Sequence, residues 1–120
     1  MKQDFIIYTK ILEIIGWLFE KVNTFPKKQR FISGQQIENS ALICLRLIIE
    51  ANSARKPVVV LKKLELLNTE LEVLRSLLRV AYEMKFLKAN SLKYIIEQIN
   101  EVGKMRGGWA KRQLSSNSDS

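Results

Sequence analysis

The chain has 120 residues, 47% of them apolar, with only five Gly and two Pro, which suits one packed domain of long elements with few turns and leaves too little chain for two cores. Lys and Arg number 20 against 12 Asp and Glu, a net charge of +8, so the first partner to consider is nucleic acid or another polyanion, the alternative being a basic surface with no partner. With no His and a single Cys, His-based triads, His metal ligands and an intrachain disulfide are excluded, which agrees with a reducing cytoplasm.

Residues 2–23 read as the first helix. Ile7, Ile11, Ile14 and Leu18 step by four, three and four, and Phe5, Tyr8, Leu12, Ile15, Phe19 and Val22 fill a neighbouring stripe. The apolar face is broader than a minimal bundle seam. Asp4, Lys10 and Glu13 interrupt any signal-peptide core, and no charge-free run approaches the roughly 18 to 20 residues of a membrane span. No membrane partner is expected. Gly16 costs about 1 kcal/mol relative to Ala and is a candidate for close helix approach beside Trp17.

Thr24-Phe25-Pro26 ends that helix. Lys27, Lys28 and Arg30 follow as a basic cluster with no local stabilising role, because cations oppose the dipole at a helix N-terminus. A solvated corner and a polyanion contact both account for it. Ser33-Gly34-Gln35-Gln36 has capping-box spacing, which predicts a second helix starting at Ser33 after a short irregular or single-turn segment. Ile37, Ala41, Cys44, Ile48 and Ala51 form its seam, widened by Leu42, Leu45 and Ile49. Cys44 reads as a buried small hydrophobe. Arg46, inside so apolar a helix, needs a carboxylate or a wet groove.

After the polar connection 52–57, the third helix is predicted from about Val58 to Leu87. Leu64, Leu67, Leu71, Leu74, Leu78 and Ala81 step by three and four, a 3.5-residue repeat typical of a helix packed along near-parallel neighbours. Leu66, Val73, Leu77, Val80 and Met84 form a second stripe. Glu65, Glu72, Arg75, Arg79 and Glu83 share a polar stripe in which Glu72 can reach Arg75 and Arg79 can reach Glu83. This is either an ordinary salt-bridged surface or a place where Arg75 and Arg79 are shared with a partner.

Asn90 or Ser91 is expected to cap a last helix running to about Gln113. Leu92, Ile95, Ile99 and Val102 carry its seam, which turns polar at Arg106 while Met105 and Trp109 keep part of the face apolar. Lys104, Arg106, Lys111 and Arg112 surround Trp109. Cations suit the C-terminal end of a helix dipole, and beside an exposed or half-exposed Trp they also make a phosphate-and-stacking surface. The final LSSNSDS, 114–120, reads as a disordered polar tail behind a bundle spanning 1–113.

Four helices on short connections predict an all-α, up-down-up-down antiparallel four-helix bundle. Apolar faces wider than one core needs predict a homo-oligomer. The carboxylates are scattered, and no phosphate loop, DxD or HExxH motif occurs. The chain therefore reads as no enzyme, with no catalytic residue, metal or cofactor expected.

Thr24-Phe25-Pro26-Lys27, Arg30-Phe31 and Gln36-Ile37 together resemble the second-helix signature of bacterial four-helix bundle proteins, the family that includes proteins encoded in intervening sequences of 23S ribosomal RNA genes. Within it, QQIENSALICLRLIIEAN, LNTELEVLRSLLRVAYEMKFL and INEVGKMRGGWAKR resemble the accessory variability determinants of diversity-generating retroelements, over roughly residues 5 to 112. The resemblance implies a barrel-like homopentamer that binds the element's reverse transcriptase and supports mutagenic, adenine-directed copying of template RNA. It also implies nucleic-acid binding by the positive surface. One position departs from the pattern, since Arg106 stands where an apolar residue usually precedes the glycine pair. The alternative is a stand-alone bundle of the intervening-sequence type, with RNA affinity and no polymerase partner; a third reading is a structural oligomer whose charge is incidental. The candidate contact residues are Lys27, Lys28, Arg30, Arg46, Arg75, Arg79, Lys104, Arg106, Trp109, Lys111 and Arg112.

Overall fold

Helical periodicity dominates the whole molecule. The computed structural model describes the backbone of residues 2–119 and the side chains of residues 5–116. Helix α1 spans Lys2–Val22, a short α2 spans Lys27–Gln29, a π-helical segment covers Arg30–Gly34, and α3 (Gln35–Ser53), α4 (Pro57–Glu83) and α5 (Ala89–Asp119) follow. Among the described residues there is no strand. The four long helices α1, α3, α4 and α5 form an up-down-up-down bundle 52 Å long and about 20 Å across. Each of α3 and α5 packs against both α1 and α4, so α3 and α5 occupy one diagonal of the bundle.

The expected seams are the core. Ile7, Ile11, Ile14 and Leu18 of α1 meet Ile37, Ala41, Cys44, Ile48 and Ala51 of α3, the leucine seam of α4, and Ile95, Ile99 and Val102 of α5, all buried in one cluster. Each fully buried Leu or Ile contributes about 1.5–3 kcal/mol over its exposed state. At one end Phe25 and Phe86 pack with ring centroids 5.8 Å apart. At the other, Trp109 joins the core.

Polar contacts tie the helices pairwise. Ser40 donates to Glu70 at 2.7 Å between α3 and α4. Lys10 of α1 bonds Gln98 and pairs with Glu101 of α5 at 2.7 Å. Arg75 reaches Asn100 of α5 at 2.8 Å through Nε and Glu72 at 3.1 Å through Nη1. Gly103 leaves room for that guanidinium, since a Cβ there would sit 3.3 Å from Arg75 Nη2. Gly16 has no such role within the chain: it is exposed, and a Cβ there would meet nothing within 4 Å.

Several boundaries differ from the sequence expectation. The expected single-turn segment precedes the second long helix, but no break or cap at Ser33 separates them. Helical backbone starts at Lys27, behind Pro26 in extended conformation, and runs unbroken into α3. The Ser33 hydroxyl, rather than capping, donates to Gln29 at 3.2 Å. The reason is tertiary: Gly34 is buried against α1, where a Cβ would lie 2.5 Å from Val22 Cγ1. The fourth helix starts at Ala89, with the Leu92 N–H bonded to Lys88 O at 2.9 Å, so Asn90 and Ser91 lie in its first turn and do not cap it. It also runs on to Asp119, where composition led to a disordered tail from 114; Ser120 lies outside the described residues. The third helix ends at Glu83 rather than Leu87, in a Schellman turn with Phe86 N–H on Ala81 O and Lys85 N–H on Tyr82 O.

Two outcomes follow from this packing. Gly34→Ala is expected to destabilise the fold by about 1–3 kcal/mol in urea unfolding, and the loss should shrink in a Val22→Ala background, where the colliding methyl is gone. Burial, with the Glu70 carboxylate nearby, pushes the Cys44 thiol up to about 12 from 9.0. The folded chain should therefore resist thiol alkylation at pH 8.5, at a rate set by unfolding. Because the unfolded thiol ionises first, the stability held below pH 9 should fall as pH rises from 9 towards 12.

Candidate nucleic-acid and partner interface

The bundle's outside is divided by helix. From Gln35 to Ser53, α3 carries Arg46 as its sole cation, and Leu42, Ile43 and Ile49 are exposed on it. The π-helical segment before it projects Phe31, 71% exposed, and Ile32, 54% exposed. Leu66, Val73 and Val80 of α4 and Leu12 and Phe19 of α1 extend this apolar surface on the flanking helices. Across the diagonal, α5 carries Lys93, Lys104, Arg106, Lys111 and Arg112 against Glu97 and Glu101 between Ala89 and Arg112. Its exposed large apolar residues are Tyr94 and Leu114.

The eleven candidate residues do not form one site. Lys27 and Lys28 are exposed and Arg30 half-buried at the end that carries the α1–α2 turn. Arg46 points outward from α3 and pairs with Glu50 at 3.3 Å, the carboxylate its apolar neighbourhood required. Lys63 also pairs with Glu50 at 3.2 Å, and its hydrogen bond is the main cause that lowers the Glu50 carboxyl below its ordinary value. Arg79 does not pair with Glu83. It approaches Glu72 at 3.7 Å, so Glu72 is shared with Arg75. Arg75 is largely enclosed and acts as a tie between α4 and α5.

The C-terminal quartet is also split. Lys104, Gly108, Lys111 and Arg112 lie on one side of α5, whereas Arg106, two residues on from Lys104, faces nearly the opposite way. Arg106 is half-buried. Trp109 is not an exposed stacking surface: at 4% exposure it is a core residue. Lys104 and Arg112 instead rim an open hollow of about 390 Å³ floored by Ile6, Met105 and Gly108. Among the described residues, no three Cys, Asp or Glu side chains gather as a metal ion would require, and no helix is long and apolar enough to cross a membrane.

The residues that the sequence reading missed are Lys21, Lys85 and Lys88, which come together at the end where α1 and α4 finish. Each is isolated in sequence or sits in a turn. The available signal was topological, because an up-down-up-down order puts the 23–26 and 84–88 turns at the same end.

Arg75 and Arg79 should behave differently. With its side chain 16% exposed against 52% for Arg79, Arg75→Met is expected to cost about 1–3 kcal/mol. Arg79→Ala should change stability by less than about 0.5 kcal/mol, both measured by chemical denaturation.

No curated protein matches the sequence. Among solved structures, a protein with unknown function from the S23 ribosomal protein family of Bacteroides thetaiotaomicron superimposes with a TM-score of 0.83 at 18% identity, covering 91% of this chain and 98% of that one. At that identity the likeness concerns the fold, and it agrees with a four-helix bundle. The family model described as bAvd-like matches residues 5–113, nearly the whole bundle, and the chain belongs to the bAvd-like family.

Proposed function

We propose that this chain is a non-enzymatic accessory protein of a diversity-generating retroelement, assembling with copies of itself, with the element's reverse transcriptase and with template RNA during mutagenic copying. Membership of the bAvd-like family over residues 5–113 supports an accessory role at family level. The observation that carries the reading further is the division of the bundle's exterior. Apolar side chains flank and cover α3, while cations gather on α5 and at the bundle ends.

An apolar exterior of this kind on a chain with net charge +8 suits burial between copies. Self-repulsion would otherwise oppose association, so apolar contact must overcome it. A ring closed through α3 and its flanks leaves α5 free on every copy. Each added copy then raises the positive field that α5 presents to a nucleic acid or to an acidic surface of the polymerase. Lys93, Lys104, Lys111 and Arg112 are exposed members of that face, and Lys27 and Lys28 extend the positive surface at the other end. A homopentamer is the assembly that the family resemblance implies.

A second reading, a stand-alone bundle with RNA affinity and no polymerase, draws on the fold shared with the S23 family protein. Co-expression with the reverse transcriptase of a diversity-generating retroelement separates the two. A complex that survives purification is expected; two folded proteins that elute apart at low salt would favour the stand-alone bundle. For self-association, light scattering should give a mass about five times the 13.9 kDa chain. Leu42→Asp combined with Val73→Asp should reduce it to single chains with helical content unchanged. A wild-type protein that runs as one chain at tens of micromolar defeats the assembly reading.

A further inference from the structure

The end of the bundle with the 23–26 and 84–88 turns carries a built cationic hollow. Lys21 from the last turn of α1 and Lys85 and Lys88 from the α4–α5 turn line an open space of about 460 Å³, with Phe86 and Ser91 beside them and no carboxylate among the lining residues. None of the three lysines has an ion-pair partner among the described residues.

Two of them sit where the backbone would prefer something else. Lys85 has φ 68, the left-handed position that closes a Schellman turn and that glycine occupies without strain. Lys88 stands in the N-cap position of α5, where short side-chain acceptors are favoured and the positive end of the helix dipole opposes a cation. Local stability explains neither placement, whereas an anion held between the two lysines would compensate both.

The hollow continues onto aromatic surface. Lys21 Nζ lies 5.2 Å from the centroid of the Trp17 ring, and Trp17 packs on Tyr94 with centroids 5.5 Å apart and planes 41° apart. Tyr94 is 46% exposed. Unpaired cations lining one hollow beside an exposed tyrosine ring match a ligand that has both phosphates and flat rings. An acidic peptide would engage the lysines and leave the aromatic pair without a function.

We propose that this turn-end hollow and the adjoining Trp17–Tyr94 pair bind single-stranded RNA. Phosphates sit on Lys21, Lys85 and Lys88, and a base lies against Tyr94. The proposal rests on the nucleic-acid part of the function above and assigns it to residues at the opposite end of the bundle from Lys104, Lys111 and Arg112.

The test is a fluorescence-anisotropy titration of a labelled, mixed-sequence single-stranded RNA of about 20 nucleotides with the full chain, at several salt concentrations. Lys21→Glu with Lys85→Glu and Lys88→Glu should weaken binding at least tenfold. Each phosphate that a lysine neutralises adds about 0.7 to the slope of log K against log salt, so the triple variant should flatten that slope by about 2. Arg55→Glu with Lys56→Glu and Lys62→Glu makes the same change in net charge at other positions and should weaken binding much less. Lys85→Gly is the variant that separates structure from binding, with Tm expected to rise while affinity falls several-fold. RNA should also quench tryptophan fluorescence in the wild type and not in Trp17→Phe. Equal weakening by the two triple variants overturns the site while leaving nucleic-acid binding intact. Equal competition by poly-glutamate of matched charge overturns the choice of RNA. No binding by the wild type at low salt overturns this proposal together with the nucleic-acid reading on which it stands.

Discussion

The leucine seam of α4 is the constraint on which everything else in this bundle depends. Leu64, Leu67, Leu71, Leu74 and Leu78 are all at most 1% exposed. They hold α4 between α3 and α5 over most of the bundle's length, and Arg75 and Glu70 add one polar tie on each side, to Asn100 and Ser40. Because α4 touches α3 on one flank and α5 on the other, those two helices are kept apart on the diagonal. Their outer surfaces can then differ completely without competing for the same neighbours. An apolar exterior next to a cationic one on adjacent helices would place unpaired charge at the rim of any apolar contact. Placing them across the diagonal removes that conflict.

The same geometry explains where polar side chains are structural and where they are free. Within the grooves, cations are enclosed and matched: Lys10 with Glu101, Lys63 with Glu50, Arg75 with Glu72. Gly103 makes space for the enclosed guanidinium of Arg75. Outside the grooves and at the ends, Lys27, Lys28, Lys104, Lys111 and Arg112 are exposed. A charge count treats all of these alike, although only the second group can exchange counterions for phosphates. The net charge of +8 therefore understates how unevenly the binding potential is distributed.

What was legible in the sequence was whatever a single helix decides by itself. The three-four steps on α1, α3, α4 and α5 identify the buried residues, because a 3.6-residue helix presents them to one side wherever it is placed. What was not legible was decided between helices. Ser33 has capping-box spacing, yet Gly34 must pack on Val22 and the backbone stays helical through it. Trp109 continues an apolar face yet stands among four cations, and only the packing of the helices decides that it completes the core at the end of α5. Arg79 had Glu83 within reach on its own helix and found Glu72, which it shares with Arg75. The family resemblance, carried by the turn after α1 and the glycine-rich part of α5, came from the stretches where helical periodicity is least regular.

Those irregular stretches are also where the energetics run against the local rules. Arg30–Gly34 is π-helical, a conformation that is uncommon and concentrated at functional sites. It turns Phe31 and Ile32 outward next to Lys27 and Lys28. The α4–α5 turn holds a lysine in a glycine conformation and a second lysine against a helix dipole. Both belong to the same end of the bundle, brought together by the Phe25–Phe86 contact. In a fold whose core follows its pattern so closely, the local costs gather at this one end. The two features line different hollows there, Phe31 beside Arg30 and the three lysines beside Phe86.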